Sequence, residues 1–149
     1  MALNYHLIIQ NNENEINLEQ LQKSLESSFE VKTTPSFLIR DELTIYISKN
    51  NDEYIKSLFG NPYPDISVAF RVRNGKYEVG VITMLKIVTW LMSYLKKQDM
   101  VLLFNNEDVI LQRISGSLVL NNEDPEFWDQ EKKFIFSNLS YQFAKIPPL

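Results

Sequence analysis

Side chains that commonly carry proton transfer, metal binding or nucleophilic attack are scarce in this sequence. Its 149 residues include one histidine and no cysteine. His6 lies in the run Tyr5-His6-Leu7-Ile8-Ile9, on the side opposite Tyr5, Leu7 and Ile9 if the run is a strand. A lone imidazole needs a second group before it acts as a general base or a metal ligand. Spacing identifies no such partner, so His6 reads as structural or solvated. Zinc, copper and haem sites would then fall largely to carboxylates, which those metals rarely use. The missing thiol also excludes a disulfide framework and a cysteine nucleophile.

Carboxylates come in adjacent pairs at Asp41-Glu42, Asp52-Glu53, Glu107-Asp108 and Glu123-Asp124. Two well-placed carboxylates can hydrolyse a glycoside or hold a hard cation. None of these pairs has the spacing of an EF-hand loop, and all fall in expected turns or at helix starts, where acids serve solubility and capping. If Asp52, Glu53, Glu107, Asp108, Glu123 and Asp124 include a contact surface, they attract a basic partner and raise the rate of association; the alternative is that they only keep turns soluble. Four glycines leave little material for a phosphate loop. Arg71, Arg73 and Lys76 with Tyr77 form a basic and aromatic cluster, expected at a hairpin tip, a place where nucleic-acid binders display such groups. The simpler reading is solvated strand residues, because a net charge of −4 disfavours nucleic acid and anionic lipid. Trp90 and Trp128 read as packing groups. Taken together, these residues imply no catalysis, no cofactor and no metal.

Composition places the chain among globular proteins. Hydrophobic residues make up 44% and charged residues 23%, enough apolar surface for one core in a chain of this length. The start, Met1 to Gln10, has neither a basic leader nor a long apolar stretch, so the expected compartment is the cytoplasm. Val79 to Leu95 is the most apolar segment, but Lys86, Thr83, Thr89 and Ser93 make it a poor membrane span.

The elements that must position these residues follow from periodicity. Residues 5–9 alternate as a strand; Asn17, with Gln20 three residues on, opens a helix that carries Leu18, Leu21, Leu25 and Phe29. Residues 31–33, 37–40 and 43–47 read as strands, 52–59 as a short helix ended by Gly60, and 61–64 as an extended connector set by Pro62 and Pro64. The strand 66–73 ends at the Asn74-Gly75 turn, and in the long helix from Val81 the apolar positions Met84, Leu85, Val88, Leu91, Met92 and Leu95 fit one face. A three-strand meander follows at 100–104, 109–114 and 117–120. Asp124 is the expected cap of a last helix, with Pro125 at its first position, running to about Asn138. The order predicts an α+β fold, an antiparallel or mixed sheet with helices packed mainly on one face, as one domain over residues 1–149.

Parts of this pattern resemble the Sit-type (SitI-like) immunity proteins of bacterial polymorphic toxin systems. The likeness is carried by Met1-Ala-Leu-Asn-Tyr5, Val68-Ala-Phe-Arg-Val72, the helix Met84 to Leu95, and Asp99 with Leu102-Leu-Phe-Asn105 and Glu107. It continues through Val109-Ile-Leu-Gln-Arg113, Ser117-Leu-Val-Leu-Asn121 and Trp128, whereas residues 31–64 carry none of it. The resemblance implies a cytoplasmic protein that binds a cognate toxin and inactivates it by stoichiometric association; the net charge of −4 points to a basic partner. The resemblance transfers no binding residues. Without it, the residues support a non-catalytic protein-interaction or adaptor domain.

Overall fold

The computed structural model describes residues 3–11, 16–33, 37–49, 58–60 and 63–147. The helix expected at 52–59 and the pair Asp52-Glu53 lie outside them, apart from Leu58 and Phe59, which form a turn ahead of Gly60. The elements are β1 (Leu3–Ile9), α1 (Leu18–Ser28), β2 (Lys32–Thr33), β3 (Leu38–Ile39), β4 (Leu43–Lys49), β5 (Ile66–Val72), α2 (Tyr77–Tyr94), β6 (Met100–Phe104), β7 (Asp108–Ile114), β8 (Ser117–Asn121), α3 (Gln130–Ile135) and β9 (Tyr141–Ala144).

Among the described residues, the strands form one nine-stranded sheet in the order β2-β3-β4-β5-β1-β6-β7-β8-β9. All neighbours are antiparallel except β8 and β9. The mixed sheet confirms the α+β class. β5 and β6 both run antiparallel to β1, which lies between them, so α2 carries the chain across β1.

Alternation explains which face is buried. Tyr5 pairs with Phe70, Leu7 with Val68 and Leu102, and Ile9 with Ile66 and Met100; each of these side chains is at most 2% exposed. They meet α2 through Val81, Met84, Leu85, Val88 and Leu91, all fully buried. Asn17 accepts a hydrogen bond from the Gln20 amide at 3.0 Å, which is the expected cap of α1. Phe29 then meets Trp90 edge-on at 6.0 Å, joining α1 to α2.

On the other face, Ile8, Phe59 and Val119 pack against a small cluster of Val101, Leu103, Val109 and Ile146. A bulge lets Val109 join it. Leu102 pairs with Leu111, but Leu103 pairs with Val109, so Ile110 is an extra residue that reverses the alternation beyond it.

Three expectations need correction. The Asn74-Gly75 turn does not close a hairpin: it leads straight into α2, which starts at Tyr77, four residues before Val81. Arg73, Lys76 and Tyr77 therefore lie at a strand-to-helix junction, where Arg73 and Lys76 both pair with Asp41, at 3.6 and 3.2 Å. The last helix does not begin at Asp124. Asp124 accepts the Phe127 amide at 3.4 Å in a run of turns, and Asp129 caps the six-residue α3 through the Lys132 amide at 2.9 Å. The third correction is β9, a strand where only a tail was expected.

Candidate functional site

Three of the acids named from sequence converge. Asp108, Glu123 and Asp124 line one cleft of about 450 Å³ together with Tyr5, Tyr77, Phe104, Phe127 and Trp128. Among the described residues no lysine, arginine or histidine lines it. Glu107, one residue away, sits exposed in the β6–β7 turn and is not part of the lining.

The bulge at Ile110 accounts for the difference between Asp108 and Glu107. In unbroken alternation Asp108 would lie on the face opposite Leu111. The extra residue pairs Asp108 with Phe104, whose ring stands 4.9 Å from that of Tyr5 on the helix-covered side. The turn itself rests on Asn105 and Asn106, with φ of 53° and 60°, and on the Glu107 amide donating to the Phe104 carbonyl. Asparagine tolerates this left-handed region at low cost, so the turn does not depend on the charges of Glu107 and Asp108.

The opposite rim hangs on Asn121. Its Nδ2 donates to the Val109 carbonyl at 2.7 Å, and its Oδ1 accepts from the amides of Glu123 and Ile146 at 3.0 and 3.1 Å. One amide side chain thus ties β7, the acidic turn and the segment after β9 together. Glu123 also pairs with Lys145 at 3.4 Å; both are exposed, so this pair adds little stability.

The aromatic wall is built from the turn before α3. Phe127 and Trp128 meet edge-on at 5.0 Å, and Trp128, only 3% exposed, meets Phe136 edge-on at 5.7 Å. The buried Lys132 amine lies 5.4 Å from the Phe127 ring centre and pairs with Asp129 at 2.9 Å and Glu78 at 3.6 Å. Burial alone would lower its pKa. The Asp129 hydrogen bond and the charge of Glu78 outweigh burial and hold it above the ordinary lysine value. At the cleft floor, burial and the Tyr77 hydroxyl, 3.4 Å away, hold the Tyr5 phenol well above its ordinary value, so it stays protonated.

Carboxylates over an aromatic wall form a receptor for a cation with an apolar stem, such as an arginine or lysine side chain. Among the described residues no group of three or more His, Cys, Asp or Glu is placed to hold a metal ion. His6 is on the other face of the sheet, where burial depresses its pKa. From sequence the acids were named as partner-binding candidates and Trp128 read as a packing group, while Asn121 had no role; its signal was only a polar residue ending the apolar run Leu118-Val119-Leu120. Among the described residues no helix is long and apolar enough to cross a membrane.

Comparison with known proteins adds one finding. A family model described as SitI3-like matches residues 4–132. The match runs through 31–64, the stretch without residue-level likeness, and stops before β9 and Ile146. No curated protein and no solved structure matches the chain.

Proposed function

The chain belongs to the SitI3-like family, and from that premise we propose that it is an immunity protein, which binds a cognate bacterial toxin and neutralises it by stoichiometric association rather than by catalysis. It does so in the cytoplasm of the producing cell, as one domain. The observation that carries the assignment of the binding surface is the cleft that gathers Asp108, Glu123 and Asp124 over Tyr77, Phe127 and Trp128, with no cation in its lining among the described residues. A basic side chain of the toxin enters this cleft; the aromatic groups bury its stem and the carboxylates meet its charge. Asp52 and Glu53 belong to the same acidic character of the chain but have no assigned place in the cleft.

Surface carboxylates act mainly on encounter, so the test is kinetic. Association with the cognate toxin is measured at low and moderate salt for the parent and for the triple variant Asp108→Asn, Glu123→Gln, Asp124→Asn. The parent is expected to associate roughly ten- to a hundred-fold faster at low salt than the variant. Equal rates for the two proteins at both salt concentrations would remove the cleft from the binding mechanism.

A further inference from the structure

The helices cover one face of the sheet, and the segment around Ile146 covers part of the other; a groove remains open over β3, β4, β5 and β1. We propose that this groove is a second docking surface, which takes a glutamate or aspartate side chain of a partner protein together with a neighbouring apolar group. The inference rests on reading the chain as a protein-binding module, but it concerns the opposite face and the opposite charge.

Register builds the groove. In one row His6 pairs with Ala69 and Ala69 with Tyr46, so the smallest side chain lies between an imidazole and a phenol. In the next row Arg71 lies between Asn4 and Thr44. The resulting hollow measures about 590 Å³, and Phe37, 5.6 Å from the Tyr46 ring, adds to its wall. Phe37 and Tyr46 are each 44% exposed, large for aromatic rings on one continuous surface.

Its formal charge is positive: Arg71 and Arg73 both line it, and among the described residues no aspartate or glutamate does. Arg73 pairs with Asp41 at 3.6 Å, but Arg71 is exposed and makes no ion pair among the described residues. A planar guanidinium beside exposed aromatics is the combination that anchors carboxylates in protein interfaces. Nucleic acid is the poorer occupant: tight binding needs many phosphate contacts, and here one of only two arginines is already paired.

The test is a titration followed by amide NMR, using the intact chain and no toxin. The probes are a hexapeptide alternating phenylalanine and glutamate, the same peptide with lysine in place of glutamate, inorganic phosphate, and a short uridine oligonucleotide. The glutamate peptide is expected to move the amides of His6, Ala69 and Arg71 saturably, with Arg71→Glu and Ala69→Glu each weakening it at least tenfold while the rest of the spectrum stays in place. No saturable shift at these amides overturns the proposal, as does an unchanged affinity in both variants. A response to phosphate alone or to the oligonucleotide as strong as that to the peptide also overturns it. Because the toxin is absent, either outcome leaves the acidic cleft untouched, and loss of toxin binding through the cleft would leave this result standing.

Discussion

Arg113 is where one substitution exposes most of the logic of this fold. The last carbonyls of a helix have no partner within it, and the last turn of α2 contains no basic residue. Arg113 reaches them from β7. Its Nη1 donates to the Met92 carbonyl at 2.8 Å, its Nη2 to the carbonyls of Leu95 and, at 2.8 Å, Gln98, and its Nε to Gln98 at 3.2 Å. Burial lowers the guanidinium pKa while Asp99 opposes the shift, so the group stays charged across the working pH range. Replacing Arg113 with Met keeps much of the stem but leaves three carbonyls without their donor. At roughly 1.5–3 kcal/mol for each of the three carbonyls that loses its charged donor, the gross loss is about 5–9 kcal/mol. Relief of guanidinium desolvation returns several kcal/mol of that. The net loss is about 3 kcal/mol, a fall in Tm of roughly 6–12 °C for a chain of this size. Lysine, which keeps the charge but cannot fork, is expected to fall between Arg and Met. Thermal and denaturant unfolding of the two variants measure this. A Met variant within about 2 °C of the parent, or a Lys variant less stable than Met, would refute the capping argument.

Four other outcomes follow. Val88→Asp places an unpaired charge at a fully buried position of α2 and is expected to cost several kcal/mol, read from a thermal melt. Gly80→Ala gains helix propensity of about 1 kcal/mol, but its Cβ would stand 2.5 Å from Val72 Cγ1 and 2.9 Å from the Glu42 carbonyl oxygen; a net loss of about 1–2 kcal/mol in denaturant unfolding is expected. His6 has a folded pKa depressed by burial, so the unfolded chain takes up the proton first. Its contribution is full above about pH 6.5 and is lost as pH falls from there through the folded pKa; melts of His6→Gln between pH 7.5 and 5 should show a flatter decline than the parent. Glu42 is buried, which alone would raise its pKa, yet hydrogen bonds from Thr83 at 2.7 Å and Arg40 at 3.1 Å bring it below the ordinary value. The stability this adds is present above the ordinary glutamate range and lost as pH falls through the folded pKa, so the advantage of the parent over Glu42→Gln should shrink on acidification below about pH 4.5.

Legibility tracked the range of the forces involved. Local signals placed β1, β5, α1 and the core of α2, because alternation and helical spacing are read within a few residues, and the Asn105-Asn106 and Ser115-Gly116 turns appear where their residues tolerate positive φ. β9 escaped because a parallel pair with β8 needs a crossover through α3, and its residues Tyr141 to Ala144 are half-exposed at an edge, with no hairpin turn to announce them. The start of α3 was misplaced because Asp124-Pro125 and Asp129 are both good caps, and only Asp129 has the Lys132 ion pair and the Trp128–Phe136 contact behind it. For the site, the acids were visible as residues but their convergence was not: bringing Asp108 to Glu123 needs the β7–β8 pairing, the bulge at Ile110 and the Asn121 tie, none of which spacing encodes. Glu107 shows the same limit, since a one-residue register change separates it from the cleft.

Stoichiometric neutralisation is the central claim, and titration of toxin activity tests it most directly. The purified cognate toxin, at a concentration well above the dissociation constant of the complex, is assayed against increasing amounts of this chain. A linear fall in activity that ends at one equivalent, with the toxin recovered chemically unchanged from the denatured complex, is the predicted result. Loss of activity at a small fraction of an equivalent, growing with time, would mean turnover and would contradict the account.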